Sequence, residues 1–180
     1  GRMSSRPEKG SELELRIGSL AFGGRGVARV DDFVVFVDRA LPGDLVRARI
    51  NRVKRRYAEA SAVALLEPGP NRVEPRCPHY GRCGGCRFQD LAYPQQLAHK
   101  EQTIRDAIER IGHQTGVEIA PIVGAPETYG YRNKIELSFA HGEDGVRLGF
   151  HLAGRWEDIL PIDACHLVGD AWNAARDVVE

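Results

Sequence analysis

Alternation of apolar and polar positions dominates the first third of the chain. Leu13, Leu15 and Ile17 alternate with Glu12, Glu14 and Arg16, the period of a strand with one buried face. A shorter stretch, Val27 to Val30, precedes an Asp31-Asp32 turn. Phe33-Val34-Val35-Phe36-Val37 is rich in β-branched and aromatic residues and predicts a buried strand. In the run Leu45 to Val53, Val46, Ala48 and Ile50 oppose Arg47 and Arg49. A last strand is expected from Tyr57 to Leu66, stopped by Pro68-Gly69-Pro70. Five short strands within residues 11–67 predict a small β-barrel of the oligonucleotide-binding kind.

The period then changes. Pro94 to Ile111 predicts an amphipathic helix, with Pro94 at the first position and Leu97, Ile104, Ile108 and Ile111 on one face. Gly112 is placed to end it. A packing role is expected, bracing the cysteine-bearing loop before it, and His99 is expected to face solvent. Ile119 to Val123 is a further apolar piece. Ile135, Leu137 and Phe139 then alternate within the stretch Tyr129–Phe139, His141 to Gly145 forms a hairpin loop, and Val146 to His151 returns. Trp156 to Leu160 adds a third strand, and Gly169 to Glu180 begins a helix. The pattern predicts an α+β domain with an antiparallel sheet over residues 77–170, joined by a proline-rich linker at 68–76 and followed by a helix from 171 to 180.

Composition adds limits. At 42% hydrophobic and 28% charged residues, the 180-residue chain has the balance of an ordinary folded protein. No apolar run approaches the ~20 residues of a membrane span, so no membrane partner is expected. The polar start lacks an apolar signal region, which predicts a cytoplasmic location. A monomer is expected. The formal net charge of zero conceals a split: residues 1–76 hold 15 Lys+Arg against 10 Asp+Glu, and the remainder hold 10 against 15.

The first half's excess is concentrated. Arg47, Arg49, Arg52, Lys54, Arg55 and Arg56 fall in one strand and the hairpin after it, with no acid between Leu45 and Ala58. A solvated charged face is the plain alternative, but uncompensated cations repel unless an anion is near. Guanidinium groups suit phosphate oxygens because they donate bidentately, so this run points to RNA backbone. The loop Gly23-Gly24-Arg25-Gly26 carries neither G-x-G-x-x-G nor a G-K-[ST] ending, and reads as a turn.

Cysteine usage is the sharpest signal. Cys77, Cys83 and Cys86 are spaced C-x5-C-x2-C with Gly84-Gly85 between the last two, and Cys165 follows 79 residues later. Without a secretory signal a metal site is favoured over disulfides. Zinc and an iron–sulfur cluster both accept four thiolates. Zinc sites usually pair two C-x2-4-C knuckles, and only one is present, so three clustered cysteines with one distant partner fit a cubane better. His79 is a rival ligand, for which an outer or surface role is expected. A stand-alone RNA-binding module with structural zinc and an electron-transfer iron–sulfur protein remain alternatives.

Two resemblances bring these features together. The series Leu13-Glu14-Leu15-Arg16-Ile17-Gly18, Gly24-Arg25-Gly26-Val27-Ala28-Arg29, Phe33 to Val37 and Leu41-Pro42-Gly43-Asp44-Leu45-Val46 resembles a TRAM domain, a small RNA-binding barrel. The cysteine spacing, followed by Phe88-Gln89, Tyr93, Gln96-Leu97 and Lys100, resembles the iron–sulfur region of the RNA uracil-5-methyltransferases. Both elements together resemble the 23S ribosomal RNA branch of that family, whose transfer RNA members commonly lack them. The likeness implies a [4Fe-4S] cluster on Cys77, Cys83, Cys86 and Cys165, and RNA, specifically 23S rRNA, as partner. Tyr131-Arg132-Asn133-Lys134 resembles a stretch leading into the central sheet, making Arg132 and Lys134 candidate RNA contacts, with a structural ion pair the alternative. In the family, S-adenosylmethionine and the catalytic cysteine and base belong to a later domain. The resemblance therefore implies no catalytic residue in these 180, and no methylation by them alone.

Overall fold

The computed structural model describes residues 6–142 and 145–179. Two compact units are present: one runs up to Val73 and resumes over Asp90–Ile122, and the other comprises Glu74–Gln89 and the chain from Val123 on.

The first unit is a six-stranded mixed sheet. Its strands are β1 (Glu12–Arg16), β2 (Ser19–Leu20), β3 (Gly26–Val30), β4 (Phe33–Asp38), β5 (Leu45–Val53) and β6 (Tyr57–Glu67), in the order β1-β5-β6-β4-β3-β2. All pairs are antiparallel except β4 with β6. The alternation seen in the sequence sets the register. Leu15 lies opposite Val46, Val35 opposite Ala58, and Val37 and Ile50 both flank Ala60; all are buried. Small alanines on the central strand let the larger aliphatic side chains of its neighbours fill one core.

The strands expected of the barrel form this mixed sheet. Among the described residues no ladder joins the two edge strands, β1 and β2, which are successive pieces of chain separated by Ile17 and Gly18. At that bend the Ile17 N–H donates to the Asp44 carbonyl at 2.9 Å and the Gly18 N–H to Val27 at 2.9 Å. A two-residue strand after a bend has no periodicity to detect, so five strands were expected where six form.

A buried ion cluster fastens the sheet to the chain that follows it. Asp44 is fully buried and accepts the N–H groups of Leu41 and Gly69, each at 2.7 Å. Arg72 donates to the same carboxylate from Nε at 3.0 Å and Nη2 at 2.8 Å, and its Nη1 reaches Asp90 at 2.7 Å. Burial opposes the Arg72 charge, but the hydrogen bonds and charges of Asp44 and Asp90 outweigh it and raise the pKa. Gly43 has φ +89°, and a Cβ there would stand 2.7 Å from Pro70 Cδ, so a side chain would push this strap away. Arg72 also pairs with Leu91 in an isolated antiparallel bridge. The chain thus leaves the first unit at Val73 and returns at Asp90, and three cysteines lie on the excursion between.

Helix α1 (Tyr93–Asp106) has Pro94 in its first turn and continues as a π-helical turn, Ala107–Ile111, that ends at Gly112. Its extent matches the expected 94–111, but its packing does not. No residue of either segment is buried, and Ile104 and Ile111 are 53% and 78% exposed. His99 is half-buried, which lowers its pKa.

The second unit carries an antiparallel sheet of β7 (Ser138–Gly142), β8 (Gly145–Leu152) and β9 (Arg155–Pro161), then helix α2 (Asp170–Val179). Glu143 and Asp144 of the expected hairpin loop lie outside the described residues. The strand expected over Tyr129–Phe139 begins only at Ser138. Gly130 and Arg132 donate their N–H groups to His166 and Leu167 instead, and Arg132 bridges Val168 in parallel. That detour shifts the buried face, so Ile135 and Leu137 are half-buried whereas Phe139 is 64% exposed.

Candidate functional site

The second unit is built around its cysteines. Successive turns fold the loop: Tyr80 N–H donates to the Cys77 carbonyl, and the N–H groups of Arg82 and Cys83 both donate to His79. Cys83 pairs with Leu152 of β8, and Gly84 N–H donates to His151 at 2.9 Å. A Cβ at Gly84 would lie 3.0 Å from that carbonyl, which explains why the loop needs glycine to lie against the strand. The next amide, Gly85 N–H, donates to Cys83 Sγ at 3.4 Å. One glycine therefore serves the sheet and the other the sulfur.

Cys165 arrives from the far end of β9. Asn173 of α2 clamps its peptide from both sides, accepting its N–H at 2.9 Å and donating to its carbonyl at 3.2 Å. Arg176 of α2 donates to the Ile162 carbonyl in the same segment.

Cys77, Cys83, Cys86 and Cys165 line one cavity, together with His79, Gln89, Arg132 and Phe150 among others. All four are free, half-buried thiols. Burial pushes the Cys83 and Cys86 thiols up, the other cysteines add to this, and the Gly85 N–H and the Gln89 amide pull them down respectively. Arg132 also lowers Cys86. Cys83 and Cys86 therefore favour the neutral thiol. Among the described residues, no three His, Cys, Asp or Glu side chains converge as a ready single-ion site.

Three neighbours complete the surroundings. His79 Nε2 accepts the Asp163 N–H at 3.3 Å, which occupies its lone pair. Gln89 accepts the Cys77 N–H at 3.1 Å and donates to Cys86 Sγ at 3.2 Å. Tyr129 reaches Gln89 Oε1 at 3.5 Å, with the Arg76 guanidinium 5.0 Å over its ring. Gln89 lies in the run that carried the resemblance, whereas nothing in the sequence singled out Asn173.

The basic run looks different in space. The β1–β5 register sets Glu14 opposite Arg47 and Glu12 opposite Arg49, giving ion pairs of 3.8 and 2.8 Å. The absence of acids along the sequence therefore does not hold across the strands. Arg52, Lys54, Arg55 and Arg56, around the β5–β6 hairpin, make no ion pair among the described residues. Beside them, on the face away from the core, Phe36 and Tyr57 meet edge-to-face at 5.5 Å. Arg25 lies 5.1 Å over Phe36 and pairs with Glu59 at 3.3 Å. Arg132 lies with the cysteines, and Lys134 pairs with the exposed Glu136 at 2.8 Å, a contact that raises the lysine's pKa and lowers the glutamate's.

Residues 6–63 match the TRAM domain family. With this domain at its start, the chain is 40% identical over 174 residues to an uncharacterised RNA methyltransferase of Bacteroides thetaiotaomicron, covering 89% of this chain and 38% of that protein. It is 43% identical over 147 residues to another from Thermosynechococcus vestitus, covering 82% and 33%. The crystal structure of Pyrococcus abyssi tRNA (uracil-54, C5)-methyltransferase, bound to S-adenosyl-L-homocysteine, matches with 30% identity and a TM-score of 0.62. That match covers 92% of this chain and 35% of the enzyme. The chain spans about a third of the length of these relatives. Because a transfer RNA enzyme matches nearly all of it, the combination of TRAM domain and cysteine region does not by itself select ribosomal RNA. No helix of the described residues is long and apolar enough to cross a membrane.

Proposed function

We propose that this chain is the RNA-binding and cluster-bearing N-terminal part of an enzyme that methylates carbon 5 of a uridine in 23S rRNA. The observation that supports a uridine methyltransferase, whichever RNA is its substrate, is the match over 92% of the chain to a tRNA (uracil-54, C5)-methyltransferase. The choice of 23S rRNA rests on the sequence resemblance. In this reading the TRAM domain holds RNA through Arg52, Lys54, Arg55 and Arg56, with Phe36 and Tyr57 offering a surface on which an unpaired base stacks. Arg47 and Arg49 contribute less, since each is shared with a glutamate. Arg132 serves the thiolate cavity as a counter-charge, and Lys134 adds a weak contact.

Cys77, Cys83, Cys86 and Cys165 hold a [4Fe-4S] cluster. The donor set fits: the cavity is lined by four cysteines and one guanidinium, with His79 and His166 but without a carboxylate, and the His79 Nε2 is already engaged by the Asp163 N–H. A cubane suits thiolates spread around a cavity, because each takes its own iron, whereas zinc needs all its ligands within ~2.3 Å of one point. The cluster's part is structural, tying the cysteine loop to the segment after β9. S-adenosylmethionine supplies the methyl group and is held outside these residues, which contain no βαβ unit among those described. The full enzyme is a cytoplasmic monomer, and the chain by itself binds RNA without methylating it.

A second reading, a transfer RNA substrate, is favoured by the Pyrococcus abyssi match. Incubating the protein expressed from the full reading frame with labelled S-adenosylmethionine and either 23S rRNA or transfer RNA decides between them. The expected result is 5-methyluridine in 23S rRNA. Methylation of transfer RNA alone replaces the substrate, and methylation of neither overturns the reading.

A further inference from the structure

We infer that Gln89 is the residue that orients and tunes the metal centre from outside its ligand set, by donating a side-chain N–H to the Cys86 sulfur. The inference rests on the cluster reading given above. Three contacts define the geometry. Gln89 Oε1 accepts the Cys77 N–H at 3.1 Å, its Nε2 stands 3.2 Å from Cys86 Sγ, and the Tyr129 hydroxyl approaches Oε1 at 3.5 Å. The orientation of the amide follows from chemistry. A backbone N–H can only donate, so the Gln89 oxygen must face Cys77, and the NH2 group is left for the sulfur. One side chain thereby touches the peptide of the first cysteine and the thiol of the third.

Two effects follow from that placement. Accepting the Cys77 N–H fixes the entry of the loop relative to its exit, so both cysteines stay aimed at the cavity. The N–H donated to sulfur draws electron density from the thiolate. It therefore favours the state of the bound group that carries more negative charge, and sets a higher reduction potential. Glutamine is suited to both tasks at once. Glutamate retains the acceptor but loses the N–H, and methionine, of similar length, loses both.

This difference separates tuning from simple bracing. The chain, purified without oxygen, is compared with Gln89→Glu and Gln89→Met by redox titration of the bound cluster and by the rate of metal loss to a chelator. Both variants are expected to titrate at more negative potential and to lose metal about tenfold faster or more, the usual range for outer-shell partners. A Gln89→Glu variant that matches the unaltered chain in both readouts would reduce Gln89 to a brace and overturn the inference. So would a potential change in Gln89→Glu with none in Gln89→Met, because added charge then explains it. If the unaltered chain carries zinc, the cluster reading falls separately. Faster zinc loss from both variants still supports the role of Gln89, and unchanged loss overturns it. A chain that takes up neither metal overturns both.

Discussion

The two units of this protein are held together by different physics. In the TRAM-bearing unit, apolar side chains from five strands close on one another, and Val35, Val37, Val46 and Ala48 are fully buried. The cysteine-bearing unit buries few large side chains, and leaves Phe139 and Trp156 64% and 77% exposed. Its organisation comes from hydrogen bonds made by loop backbone: Cys77 and Cys165 to the side chains of Gln89 and Asn173, and Gly84 to the His151 carbonyl of β8. A sheet core is stabilised by area removed from water. A thiolate site gains most of its order when the metal binds, since metal-binding free energy is then folding free energy.

The contrast can be broken first at the buried ion cluster. Asp44→Ala leaves Arg72 partly buried without its main partner and removes acceptors from Leu41 and Gly69. Loss of one member of a buried pair costs about 3–5 kcal/mol, so denaturant melts of the first unit should shift by that amount. A shift near zero would mean the strap contributes nothing to the sheet.

The match to a TRAM domain picked out Leu41-Pro42-Gly43-Asp44 without saying why those residues matter. The buried Asp44 carboxylate is matched to the Arg72 guanidinium, 28 positions later, a separation that no local pattern reveals. Strand positions and the α1 boundaries were legible, because each is a local period with a proline or glycine stop. The two-residue β2 and the late start of β7 were not, since both depend on hydrogen bonds to distant chain. At the candidate site, the four cysteines were readable from type and spacing. The compensation of Arg47 and Arg49 by Glu14 and Glu12 was not, because it is set by cross-strand register. Asn173 was invisible for the same reason: an asparagine on a short helix carries no mark of the peptide it clamps.

A smaller effect is expected at that asparagine. Asn173→Ala removes both hydrogen bonds to the Cys165 peptide. At 0.5–1.5 kcal/mol each, local stability should fall by about 1–3 kcal/mol. Amide exchange should quicken around Cys165 while β4–β6 keep their protection. Equal loss in both units would erase the proposed difference between them.

The smallest change is confined to RNA binding. Replacing Arg55 and Arg56 with alanine should leave stability within ~0.5 kcal/mol of the parent, as for most surface sites. It should also reduce the slope of log affinity against log salt by about 1.4–1.8, the contribution of two phosphate contacts. An unchanged slope would move the RNA away from the β5–β6 hairpin.

The central proposal is that the four half-buried thiols lining one cavity are the frame of an iron–sulfur cluster. Metal and sulfide analysis of the chain purified without oxygen, beside a Cys165→Ala variant, tests it most directly. The account predicts a brown protein with iron and acid-labile sulfide in equal amounts, and a variant that has lost both. A colourless protein with stoichiometric zinc, or a variant that keeps its full iron and sulfide, would contradict it.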